Sequence, residues 1–121
     1  MNRYALLTLV LALALLKPFV AAGQEATEVY IPIGKSPGVS GVSSVIGVVA
    51  EVDYESQTLV VESADTTVTV DMDAGTEYYL DRSDSERSNS TGDVYDCKIG
   101  RTIEVKIAAD GTADWVKIEA D

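Results

Sequence analysis

Apolar and polar residues alternate at every second position in several short stretches of this chain. The clearest stretch is residues 67–73, where Val68, Val70 and Met72 are separated by threonine and aspartate. This alternation has the period of a β-strand, which carries one set of side chains on each face. After residue 22, no stretch of helical length has the helical period of 3.6 residues. The sequence therefore predicts an all-β domain.

Six stretches of this kind are predicted to be strands. In the first of them, Ile46, Val48 and Val52 are expected to share one face. Asp110-Gly111 predicts a hairpin between the last two strands, because both residues tolerate positive φ. Five or six short strands separated by polar turns indicate one small antiparallel β-barrel, closed or nearly closed. The six stretches are residues 45–53, 58–63, 67–73, 76–80, 101–107 and 114–120.

Two stretches lack the alternating pattern. Residues 23–44 are rich in Gly, Ser and Pro, and they are predicted to form an extended arm that lies along the domain or docks on a partner. The arm is expected to be dispensable for folding of the barrel domain, residues 45–121. Residues 81–93 are almost wholly polar, so they are predicted to form a mobile loop that contributes nothing to the core.

The first residues have the composition of a secretory signal peptide. Arg3 precedes an apolar stretch of about 13 residues, which is shorter than the roughly 20 that a membrane-spanning helix needs. Small residues up to Ala22 fit the site of signal peptidase. Residues 1–22 are therefore predicted to be a signal helix cleaved after Ala22. We expect an exported protein, periplasmic or extracellular, with no membrane anchor after cleavage.

Charge and cysteine content limit the partners and the compartment. Loss of Arg3 and Lys17 with the signal peptide would leave seven basic against 20 acidic residues, a net charge of −13. Such a surface repels phosphate backbones, so nucleic acid is not expected as a partner. Cys97 is the only cysteine, which favours a bacterial envelope or extracellular protein over a small eukaryotic domain stapled by disulfides. Cys97 itself is predicted to be a small buried hydrophobe.

Five short motifs in the predicted strands and turns carry a resemblance to a known family. They are residues 47–53, 58–61, 67–70 and 97–105 and the Asp110-Gly111 hairpin. Together they resemble an exported bacterial domain family of unknown function that has a small OB-like barrel. The resemblance implies that fold and export, and it assigns no catalytic residue. Cys97 departs from the pattern, because the family usually has a larger aliphatic residue there.

Catalysis has little support in the composition. The chain has no histidine and one cysteine, which excludes Ser-His-Asp and Cys-His sites and zinc sites built from Cys and His. A carboxylate pair of the glycosidase kind stays open, although acidic residues are too numerous for any pair to stand out. The chain is therefore predicted to be neither an enzyme nor a carrier of a cofactor, with bound Ca²⁺ as the open exception.

The candidate Ca²⁺ ligands are Asp71, Asp73 and Glu77. Calcium takes several oxygen ligands, and Gly75 permits a tight loop among these carboxylates. The acidic position and the glycine that complete an EF-hand loop are missing. The alternative is that the three carboxylates are the solvent face of an alternating strand.

The candidate residues for ligand binding are Tyr30, Tyr78 and Trp115, because OB-like barrels often bind ligands by stacking on exposed rings. Strict alternation in the last strand predicts that Trp115 faces away from Val116 and Ile118 and is exposed. The alternative is a buried Trp115 that caps the open end of the barrel.

These observations lead to three functional hypotheses. The first is an exported non-catalytic binding or structural protein that engages a protein or an envelope polymer through the apolar part of the arm near Tyr30. The second is a Ca²⁺-binding module that uses Asp71, Asp73 and Glu77. The third is an enzyme that acts through carboxylates.

Overall fold

The computed structural model of this protein describes residues 29–120. The predicted signal peptide at residues 1–22 and the first part of the predicted arm lie outside the described residues. Within these residues, seven strands form one sheet, and two short 3-10 turns lie at Ser83–Ser85 and Val94–Asp96, so the all-β prediction is confirmed. No helix within residues 29–120 is long and apolar enough to cross a membrane. The strands are β1 (Ser44–Asp53), β2 (Thr58–Ser63), β3 (Thr66–Asp71), β4 (Glu77–Asp81), β5 (Ser90–Thr91), β6 (Thr102–Ile107) and β7 (Ala113–Glu119).

The strand order across the sheet is β3-β2-β1-β6-β7-β4-β5. The predicted hairpin between β6 and β7 is present, and Gly111 has a positive φ of 89° in its turn. β1 with β2, and β2 with β3, are also antiparallel pairs. The prediction of an antiparallel barrel is wrong in two respects, because β4 runs parallel to β7 and the sheet does not close. Closure would need a free edge on β7, but β6 and β4 occupy both edges of that strand. β3 reaches only Thr112, in a single bridge with Asp71.

β1 changes partner halfway along its length. Its first half pairs with β6 and its second half with β2, and a β-bulge lies between Val49 and Glu51. A bulge adds one residue and so reverses which side chains face the core. As a result Val49 and Val52 both face the core, whereas Val48 is exposed. The prediction that Val48 and Val52 share one face is therefore wrong.

The hydrophobic core lies on one face of this bent sheet. The fully buried side chains Leu59, Val61, Ile103 and Val116 are at its centre. Cys97 is buried among them, as predicted. Each of these strands places alternate residues in the core, which is the pattern that the sequence shows.

The described part of the predicted arm, which begins at residue 29, and the predicted loop both pack on the sheet domain. Residues 29–43 form a series of turns that pack on the sheet face opposite the core, so the extended conformation that was predicted is wrong. Residues 81–93 contain a 3-10 turn and β5, and they bury Asp81 and Asn89. Neither residue belongs to the hydrophobic core, and both side chains bind the backbone of the arm instead.

Replacement of Gly47 by alanine tests the bend in β1. A Cβ atom at Gly47 would lie 2.2 Å from the carbonyl oxygen of Glu62, which is backbone and cannot swing aside. We expect Gly47→Ala to lower the free energy of unfolding by about 3 kcal/mol or more, at the upper end of the cost of overpacking. Urea denaturation measures this loss. The matched control is Gly75→Ala, whose Cβ atom would meet only the Asp73 side chain at 3.4 Å; equal stability of the two variants would contradict the close approach.

Candidate functional site

The aromatic residues predicted to bind a ligand do not form one site. Tyr30 is 63% exposed and its ring contacts that of Tyr79, with the ring centroids 6.5 Å apart. Tyr78 packs against the core instead, and its burial raises the pKa of its hydroxyl to about 12. Trp115 is only 3% exposed, so its ring is buried, as in the alternative, and not exposed as strict alternation predicts. Among the three predicted residues, Tyr30 is exposed, Tyr78 is half-buried and Trp115 is buried.

Two of the three predicted calcium ligands, Asp73 and Glu77, accept hydrogen bonds from their own neighbours. Oδ1 of Asp73 accepts hydrogen bonds from the Gly75 N–H at 2.9 Å and the Thr76 hydroxyl at 3.3 Å. Oε2 of Glu77 accepts one from the Tyr79 hydroxyl at 2.8 Å. The structure, over residues 29–120, contains no group of three acidic, His or Cys side chains that could hold a metal ion. Calcium binding by Asp71, Asp73 and Glu77 stays a prediction.

Two charged residues, Glu104 and Lys117, are fully buried on the face of β6 and β7 that points away from the core. They are directly opposite each other in the β6–β7 register, a position in which side chains on one face are neighbours. The ammonium of Lys117 also lies 4.5 Å from the centroid of the Trp115 ring, in cation–π contact. Lys117 thus covers the face of the Trp115 ring that it contacts.

The arm supplies the hydrogen bonds that this buried carboxylate needs. Glu104 accepts from the Gly34 N–H at 2.9 Å, the Ser40 hydroxyl at 2.7 Å and the Ser44 hydroxyl at 2.6 Å. Nζ of Lys117 donates to Ser36 Oγ at 3.1 Å. A buried charge without such partners costs several kcal/mol of desolvation free energy. The arm is therefore a second layer of the domain, bound to its sheet through buried polar groups.

Asp81 and Asn89 hold the beginning of the arm. Asp81 Oδ2 accepts the Ile33 N–H at 2.9 Å, and the amide of Asn89 donates to the carbonyl of Val29 at 3.0 Å. Burial alone would raise the pKa of Asp81, but the hydrogen bonds from Ile33 and Ser83 and the charge of Lys117 outweigh it and lower that pKa. The carboxylate is therefore ionised when it binds the arm at neutral pH.

Sequence reasoning missed these four polar residues. Alternation places Glu104 and Lys117 on the strand faces opposite the apolar residues. The sequence pattern is the same whether a polar residue on that face is exposed to solvent or covered by a second layer. One signal was present, because Ser36, Ser40 and Ser44 recur at every fourth position of the arm. A row of hydroxyl donors in a segment without strand pattern is compatible with a buried acceptor, although it does not identify one.

The face of β1, β2 and β3 that points away from the core is accessible to solvent. We call it the outer face. Its apolar positions Val48 and Val60 lie among threonines and carboxylates, and two open grooves of about 460 and 440 Å³ lie on it. The outer face consists of three rows in register: Val48, Glu62 and Thr67; Glu51, Val60 and Thr69; and Asp53, Thr58 and Asp71.

The outer face belongs to a part of the chain with only negative charge. Between residues 36 and 81 there are nine acidic residues and no lysine or arginine. All seven acidic residues of residues 44–73 are exposed. The basic residues after Lys35 lie between residues 82 and 117, outside the strands that build this face. Electrostatic attraction to cationic groups is therefore concentrated in residues 36–81 and on the outer face.

Comparison with family models, with curated proteins and with solved structures finds no match to this chain. The resemblance to an exported family with an OB-like barrel therefore stays a prediction.

Substitution of Glu104 tests the buried polar layer. Glu104→Gln removes the negative charge opposite Lys117 and one strong acceptor of the arm, so we expect a loss of about 3 kcal/mol or more in the free energy of unfolding. Guanidinium denaturation measures this loss. Glu51→Gln is the matched control, because Glu51 is exposed, and its effect should stay within about 0.5 kcal/mol.

The reactivity of Cys97 tests its burial. Desolvation, assisted by the negative charges of Asp96 and Asp93, raises the pKa of the Cys97 thiol to about 12. The thiol therefore stays protonated at about pH 9, near the ordinary value for cysteine. We expect iodoacetamide to modify the folded chain at least about a hundredfold more slowly than the chain unfolded in guanidinium chloride. Equal rates, measured by mass spectrometry, would contradict a buried thiol.

Proposed function

We propose that this chain is a non-catalytic exported binding protein that holds a basic polypeptide segment against the outer face. The observation that carries this proposal is the complete lack of lysine and arginine between residues 36 and 81, where all the strands of the outer face lie. A partner with lysine and arginine side chains gains attraction there without meeting a like charge. Polymers rich in phosphate or carboxylate are repelled, which disfavours anionic envelope polymers as partners.

The outer face also offers contacts other than charge. Val48 and Ile99 are large apolar side chains that are 41% and 68% exposed, and Ile99 lines the groove of about 460 Å³ beside Val60. Apolar groups in the middle of a polar rim are the usual composition of a protein-binding surface. The stems of lysine and arginine side chains can cover such groups while their charged ends reach the carboxylates.

The proposal moves the binding surface away from the arm. The polar groups of the arm are engaged with Glu104, Lys117 and Asp81 in its own domain, which leaves Tyr30 as its main exposed aromatic contact. A surface of three strands with two grooves gives a larger and more uniformly charged site than one tyrosine does.

We further propose that the fold is an opened form of the OB-like barrel that the sequence resembles. The order β3-β2-β1-β6-β7 and the bridge between Asp71 and Thr112 support this proposal, because they bring β3 towards the start of β7. In this account β4 has taken the edge of β7 that would otherwise help to close the barrel.

Neutralisation of two outer-face carboxylates tests the proposed function. A fluorescent lysine-rich peptide is titrated with the chain, and its anisotropy gives the dissociation constant. We expect Glu51→Gln combined with Glu62→Gln to weaken binding by about threefold or more, since each exposed ion pair contributes up to about 1 kcal/mol. Binding should also weaken as salt is added.

The matched control is Asp84→Asn combined with Glu86→Gln, which changes the net charge equally in an exposed 3-10 turn that is not part of the outer face. This control should bind the peptide within about twofold of the original chain. If both pairs of substitutions weaken binding equally, attraction comes from net charge alone and the outer face is not the site. If the original chain does not bind the peptide at all, the proposed function is wrong.

A further inference from the structure

β3 is at one end of the strand order, so one of its two edges has no neighbouring strand. Among residues 29–120, the only pairing on that edge is the bridge between Asp71 and Thr112. The part of β3 before Asp71 therefore presents an unpaired strand edge. Such an edge has a row of backbone donors and acceptors that can pair with another extended segment.

The register with β2 identifies which backbone groups face that edge. The Met72 N–H donates to the Gln57 carbonyl, so this pair is hydrogen-bonded across the hairpin. Hydrogen-bonded and non-hydrogen-bonded pairs alternate in an antiparallel ladder. Counting back along β3, the backbone groups of Asp71, Thr69 and Thr67 point away from β2. The outward bridge that Asp71 makes with Thr112 agrees with this assignment.

β3 lacks the features that usually block pairing at a sheet edge. Such features are proline, lysine, an inward-pointing charge or a bulge, and β3 has the sequence Thr-Thr-Val-Thr-Val-Asp with regular pairing to β2. Threonine and valine favour the extended conformation. The inward-facing Val68 is only partly buried, so an apolar side chain next to it would bury more of its surface.

Charge decides what can pair with this edge. Glu62, Asp65 and Asp71 are exposed on or beside β3, with no basic residue nearby in the sequence. A second copy of the chain would bring the same carboxylates against these. Residues 23–28 contain two glutamates and no basic residue, so they are disfavoured in the same way. A basic extended segment is the occupant that the charges favour.

We propose that a basic extended segment of a partner adds to the sheet as a strand next to β3 and pairs with the backbone of Thr67 and Thr69. This inference rests on the proposed function and names its binding mode. Alternate side chains of the added strand lie on the two faces of the sheet. Its basic residues then meet the carboxylates of the outer face, and its apolar residues lie beside Val68. The segment is one in which lysine or arginine alternates with aliphatic residues.

Two synthetic peptides separate this binding mode from simple attraction of charges. The first has about ten residues with lysine and valine alternating, which is enough for one strand. The second has the same sequence with every backbone amide N-methylated, which keeps the charge and removes the N–H groups from both edges of the strand. We expect the first peptide to bind at least about tenfold more tightly. If neither peptide binds, the proposed function fails; if both bind equally, only the strand-addition mode is overturned.

A substitution on the edge supplies an independent test. Thr69→Pro removes an N–H that points away from β2 and leaves the ladder with β2 intact, whereas the control Thr69→Ala keeps the N–H. We expect Thr69→Pro to weaken binding of the alternating peptide by about tenfold or more, with Thr69→Ala unchanged within about twofold. Equal affinities of the two variants would overturn the inference. Circular dichroism checks that both variants fold.

Hydrogen exchange of the original chain tests strand addition next to β3 even if Thr69→Pro does not fold. The amides of Thr67 and Thr69 should exchange at least about tenfold more slowly when the alternating peptide is bound. No change in their exchange would overturn the inference. Protection of these amides without peptide would also overturn it. Protection that rises with chain concentration identifies a second copy as the occupant, and protection that is lost when residues 23–28 are deleted identifies that segment.

Discussion

The structure depends on the burial of Glu104 and Lys117 on the side of the sheet that does not face the core. A carboxylate removed from water must be surrounded by donors, because its lost hydration costs several kcal/mol. Two of the donors come from the arm, through the backbone of Gly34 and the hydroxyl of Ser40, and the third is the hydroxyl of Ser44 at the start of β1. We therefore expect the sheet to need the arm, which adds a second, polar layer to a sheet with a single core.

This second layer determines which surfaces can bind a partner. It covers Glu104 and Lys117 on β6 and β7 and leaves the outer face of β1, β2 and β3 exposed. The bulge in β1 places Val48 on that face, and β4 occupies the edge of β7 so that β3 stays at the end of the sheet. An acidic surface and an unpaired strand edge thus meet on the same three strands. The proposed binding surface is therefore the outer face with the edge of β3, which the arm does not cover.

The sequence predicts the local part of this architecture well. Strands β2 and β3 and the hairpin at Gly111 follow from alternation and turn residues, which depend on near neighbours in the chain. The parallel pairing of β4 with β7 joins distant segments and has no local pattern. The bulge between Val49 and Glu51 is a feature of the pairing of β1 with β2, which alternation within β1 does not predict.

The candidate site divides in the same way. The negative charge of residues 36–81 can be read directly from the sequence, but alternation alone does not distinguish exposed Glu51 from buried Glu104. To distinguish them, one must know that the arm covers Glu104 on β6. The arm has no strand pattern from which this position could be predicted. The expectation that the arm is dispensable for folding came from this gap.

Deletion of residues 24–41 tests whether the sheet depends on the arm for its stability. The equilibrium unfolding of this shortened chain is compared with that of the chain beginning at Gly23, with circular dichroism as the signal. We expect the shortened chain to lose its cooperative transition or most of its free energy of unfolding, because Glu104 and Lys117 lose the partners that the arm supplies. A cooperative transition with the stability of the longer chain would contradict it.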